Sequence, residues 1–188
     1  MNPQETTLTS ADLFARPPSK RVDRWLFRGE LRESKVTKRN PAHSRVVSNL
    51  AFLLMTWVRA QPEPRGAVYS GEAYFRIRSK PETNVGIDVA LSTPEQASQT
   101  PKKASFVDGA PILAVEVLSP HDKHRDIVDM IEEYLQCGVR QVWIVDPYAE
   151  TVTVYRADQE PVLFARSQEF TGEPDLPGFR CRVTEIFE

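Results

Sequence analysis

Cysteine is almost absent from this chain: Cys137 and Cys181 are its only two in 188 residues, and no Cys-x-x-Cys spacing occurs. That excludes a disulfide framework and a four-thiolate zinc site, and it predicts a protein of the reducing cytoplasm. An excess of either charge is also missing. The 24 basic and 26 acidic residues leave a formal net charge of −2, so no global field draws the chain to nucleic acid, although basic residues can still cluster on one face. No uncharged run approaches the ~18 residues that span a bilayer. Residues Met1 to Glu5 show no basic stretch leading into an apolar core, so a soluble, unexported protein with no membrane partner is expected. No internal repeat is visible.

What is present is enough apolar material, 40% of residues, for one well-buried core, and one domain over residues 1–188 is the default at this length. Within that material two acids stand out. Ile112-Leu113-Ala114-Val115-Glu116-Val117-Leu118-Ser119-Pro120 reads as a buried strand that carries a carboxylate, and Gly86-Ile87-Asp88-Val89-Ala90-Leu91 repeats the setting. An ionised carboxylate in apolar surroundings costs several kcal/mol unless it is paired or holds a cation. Asp88 and Glu116 on adjacent core strands therefore suggest a divalent-cation site, in competition with strand-end acids satisfied by backbone donors or arginine.

The remaining pattern alternates strands and helices. Thr9 to Arg16 predicts a short capped turn stopped by Pro17-Pro18, and Trp25 to Arg32 a strand whose end is blurred by Gly29. Between His43 and Ala60, Val46, Val47, Leu50, Ala51, Leu53, Leu54, Trp57 and Val58 recur at helical spacing. Residues 67–78 alternate as a strand, 79–84 read as a loop, and 93–109 read as a polar loop with one helical turn. After the Glu116 strand, a helix from about Arg125 to Cys137 stops at Gly138. Gln141 to Asp146, Thr151 to Arg156 and Pro161 to Arg166 are further strands, the first two a hairpin. The tail from Leu176 to Val183 is extended, ahead of a short closing segment at Thr184 to Phe187. Strand, helix and strand over 112–146 imply a crossover inside a mixed sheet, an α/β sandwich.

Taken together, Ile87-Asp88-Val89-Ala90, Ala114-Val115-Glu116-Val117-Leu118-Ser119-Pro120, Tyr134-Leu135-Gln136-Cys137-Gly138-Val139, Val142-Trp143-Ile144-Val145-Asp146-Pro147 and Leu176-Pro177-Gly178-Phe179 resemble the Uma-two family of restriction-endonuclease-like proteins, in the PD-(D/E)xK nuclease superfamily. With Arg28-Gly29-Glu30-Leu31 and His43, the resemblance covers almost the whole chain. It implies a mixed central β-sheet flanked by helices, with Asp88 and Glu116 holding Mg²⁺ or Mn²⁺, the Val117 carbonyl as a further ligand, and Glu30 as a third catalytic carboxylate. The implied activity is metal-dependent endonucleolytic hydrolysis of DNA, and a homodimer stays open.

Three positions depart from the family pattern. Ile87 stands where a proline usually precedes the first acid, Trp25 stands at a common acidic position, and Met130 stands where the family's lysine is expected. Methionine neither holds a charge nor delivers a proton. Two function classes follow: a metal-dependent DNA endonuclease, or a nuclease-like nucleic-acid-binding or interaction module whose site has degenerated. Lys123 and Arg125 are substitutes for the lysine only if they leave the charged run 121–126, where a solvated loop is expected. His121 and His124 form H-x-x-H without a third ligand, which reads as a surface helix entry. His43 suits a helix-start packing role or the edge of the site. Cys137, Trp143 and Tyr155 read as packing residues, and Ser119 has no recognisable base.

Overall fold

The computed structural model describes residues 7–19, 22–35, 41–120 and 122–188; His121 lies outside them. Thr9 caps α1 (Ser10–Phe14) through a capping box with Asp12. The strand expected over 25–32 is instead two strands, β1 (Val22–Phe27) and β2 (Glu30–Lys35), paired antiparallel. Arg28 at φ 53° and Gly29 at φ 80° form the tight turn between them, since positive φ at both central residues matches the twist of a hairpin.

Helix α2 (Pro41–Ala60) buries His43, Val46, Val47, Leu50, Ala51, Leu54 and Val58, the apolar stripe its spacing predicts. The long hairpin β3 (Val68–Ser79) and β4 (Glu82–Leu91) follows, so most of the loop expected at 79–84 is strand. The polar stretch after it holds α3 (Pro94–Gln99) and the two-residue β5 (Val107–Asp108). Next come β6 (Leu113–Val117), α4 (His124–Gln136), β7 (Gln141–Asp146), β8 (Thr151–Tyr155) and β9 (Val162–Ala165). A small hairpin of β10 (Glu169–Thr171) and β11 (Arg180–Arg182) leads into α5 (Val183–Phe187).

The sheet runs β2-β1-β4-β6-β7-β8-β9, with β3 beside β4 and β5 beyond β3. Parallel pairing of β6 with β7 is the expected crossover through α4. Because β3 occupies one edge of β4 along its length, β1 and β6 share the other edge: Leu26 opposes Asn84, and Val115 opposes Val89. Between those contacts β1 and β6 part, which opens the sheet beside Asp88.

Both faces of the sheet are covered, so its inner strands are apolar throughout. On β6, Leu113, Val115 and Val117 face the layer of α2 and α5, while Ala114 faces the layer of α4. Strand β4 breaks this alternation. Ile87 belongs to the α4 layer and Val89 to the α2 layer, although residues two apart on a regular strand share a face. The strand rolls at Asp88 because β3 bulges opposite: its pairing passes from Ser70↔Val89 to Ala73↔Ile87, with Gly71 and Glu72 at positive φ between them. A bulge adds local twist, and here it turns Asp88 toward the gap between β4 and β6. No described helix is long and apolar enough to cross a membrane.

Candidate metal centre

The β4–β6 ladder ends at Val89 and Val115, and beyond it the Val117 N–H needs an acceptor. Asp88 supplies one, its Oδ2 accepting that N–H at 3.0 Å. The same oxygen lies 3.2 Å from Nε2 of His43, which α2 brings in from above. Both side chains are buried, Asp88 at 7% and His43 at 5% exposure.

Glu116 extends from β6 toward α4, where the buried Tyr134 hydroxyl donates to its Oε1 at 2.8 Å. Burial pushes the Glu116 carboxyl well above the usual carboxylate range, and the nearby charges of Asp88 and Asp122 add to the shift. The Tyr134 hydrogen bond and the Asp88 backbone N–H, directed at the same carboxylate, oppose it. Tyr134 responds in kind, its hydroxyl pushed well up by burial and by Glu116. The result is a close acid pair in which two like charges must share one desolvated gap.

That chemistry fits a hard divalent cation. Mg²⁺ is commonly held by one or two carboxylates, with waters and substrate oxygens completing its shell. The Val117 backbone borders the same gap through its N–H contact with Asp88. Among the described residues, no group of three or more His, Cys, Asp or Glu side chains gathers as a metal-holding set.

The third carboxylate is a correction. Glu30 is exposed and opposes Phe27 at the hairpin end of β2, and Leu26 opposes Asn84, at the far end of β4 from Asp88. At normal strand rise and spacing this places Glu30 roughly 15–20 Å from Asp88. Trp25 and Met130, which stand where the resemblance leads one to expect an acid and a lysine, are partly buried and pack against the α4 layer. Lys123, His124 and Arg125 are exposed at the start of α4.

One buried acid escapes the sequence reading altogether. Glu133, with no exposed side-chain surface, accepts from Arg28 at 2.7 Å, Arg78 at 2.9 and 3.1 Å, and Thr83 at 2.6 Å. Burial pushes its carboxyl up, but those donors outweigh burial and hold it below the ordinary value. Its place on the flank of the apolar stripe of α4, near Met130 and Cys137, is the only local signal. Its partners lie far away in sequence.

A mixed sheet opened beside two acids, with a crossover helix over one of them, defines a restriction-endonuclease-like α/β fold. The Uma2 family model, described as "Putative restriction endonuclease", matches residues 10–184. The chain belongs to that family. A solved structure from Anabaena variabilis ATCC 29413, a "putative nuclease belonging to DUF820", shares the fold with a TM-score of 0.78 at 17% identity, over 94% of this chain and 96% of that one. Comparison with curated proteins finds no match.

Proposed function

We propose that this protein is a metal-dependent endonuclease that hydrolyses DNA phosphodiester bonds, slowed by the loss of the family lysine. The observation that carries the reading is the convergence of Asp88 and Glu116 where β4 and β6 part. Asp88, Glu116 and the Val117 carbonyl would hold Mg²⁺ or Mn²⁺, which supplies an acidified water and charge neutralisation at the phosphate. Asp88 is held for this task by the Val117 N–H and His43, and Glu116 by Tyr134. A DNA substrate agrees with a cytoplasmic location.

Met130 and Trp25 favour a second reading, a nuclease-like module that binds nucleic acid without cutting it. Plasmid and single-stranded DNA incubated with Mg²⁺ or Mn²⁺ separate the two. Cation-dependent cleavage that falls by about 10²-fold or more in Asp88→Ala and Glu116→Ala is expected. DNA binding with no cleavage under either cation would establish the module instead.

A further inference from the structure

Tyr134 meets the acid pair from outside it. The side chain is 1% exposed, and its hydroxyl donates to Glu116 Oε1 at 2.8 Å. A ring this deeply packed would serve the core equally well as phenylalanine, so the hydroxyl needs its own explanation.

The surroundings hold that hydroxyl in place from two directions. Glu133, the preceding residue, is tied to the hairpin turn at Arg28, to β3 at Arg78 and to β4 at Thr83. The helix then closes with a paired stop: Val139 N–H donates to the Tyr134 carbonyl at 3.0 Å, and Gly138 N–H, at φ 95°, donates to the Leu135 carbonyl at 3.1 Å. This arrangement terminates a helix at a defined residue. The Glu133 side chain thus ties α4 to the β1–β2 turn, β3 and β4 one residue before Tyr134, and the paired stop ends the helix just beyond it.

We propose that Tyr134 is a positioning residue for Glu116, holding one carboxylate oxygen so that the other is presented to a divalent cation shared with Asp88. The inference rests on the metal-site reading above and deepens it. Partners that orient a metal's ligands matter because a free ligand must lose rotational freedom on binding.

Tyr134→Phe keeps the ring and removes only the hydroxyl. Calorimetric Mn²⁺ titration of this variant is expected to show binding about 10- to 100-fold weaker than wild type, with a cooperative melt retained. Unchanged Mn²⁺ affinity, with or without a lower melting temperature, would reduce Tyr134 to packing and overturn the proposal. If the variant does not fold, the wild-type protein decides: Mg²⁺ should produce a tyrosine ultraviolet difference spectrum, and its absence overturns the proposal. Glu116→Ala separates the two levels. Loss of Mn²⁺ binding there, with Tyr134→Phe unaffected, refutes the positioning role alone; no wild-type binding, or binding that survives Glu116→Ala, refutes the site and the inference with it.

Discussion

Met130→Lys is expected to raise Mg²⁺-dependent DNA cleavage by about 10²- to 10⁴-fold, the usual range for a positioned proton-transfer or charge-stabilising group. Met130 precedes Tyr134 by one helical turn, and Tyr134 touches Glu116; residues four apart on a helix share a face. Side chains on a helix lean toward its N-terminus, which directs an extended lysine at position 130 toward the end of β6 where Glu116 lies. Met130 is only partly buried against the α4 layer, so the new ammonium can reach the acid pair or water without being sealed in the core. The gained activity should vanish again when Glu116→Ala is added. Cleavage that is efficient in wild type and indifferent to Met130→Lys would remove this position from the mechanism.

Glu116→Gln is expected to stabilise the metal-free protein at neutral pH while destroying cation binding. Burial and the charge of Asp88 hold the Glu116 carboxyl well above its ordinary value, so the native state binds that proton more tightly than the unfolded chain. Stability from this group is therefore complete below about pH 4.5 and lost as pH rises through the raised native value. Glutamine keeps an acceptor for Tyr134 and carries no charge to desolvate. The gain is on the order of 2 kcal/mol, or roughly 4–8 °C in melting temperature, and it should grow with pH above 4.5. Thermal melts in a chelator check it; a lower melting temperature for the variant at pH 8 would mean that Glu116 is a structural anchor.

Much of this was legible in the chain itself. The α2 stripe from Val46 to Val58 needs only helical periodicity, and Glu116 is conspicuous because a charge interrupts β-forming apolar residues. The convergence of Asp88 with Glu116 is less local. It depends on the β3 bulge at Gly71 and Glu72, which rolls β4, and on β1 and β6 sharing one edge. Neither is encoded near Asp88. Glu30 failed as a third carboxylate because a turn at Arg28-Gly29 folds its strand back at the far end of β4 from the gap. Glu133 was invisible because its partners, Arg28, Arg78 and Thr83, arrive from three remote segments. Tyr134 falls within the helix expected over about Arg125 to Cys137, but its hydroxyl contact with Glu116 depends on how the crossover seats that helix on the sheet.

The central claim is that Asp88 and Glu116 together form a divalent-cation site, and calorimetric titration with Mn²⁺ tests it most directly. A saturable binding heat is expected in the wild-type protein, lost in both Asp88→Ala and Glu116→Ala while each variant still melts cooperatively. The same isotherm in wild type and both variants would contradict it.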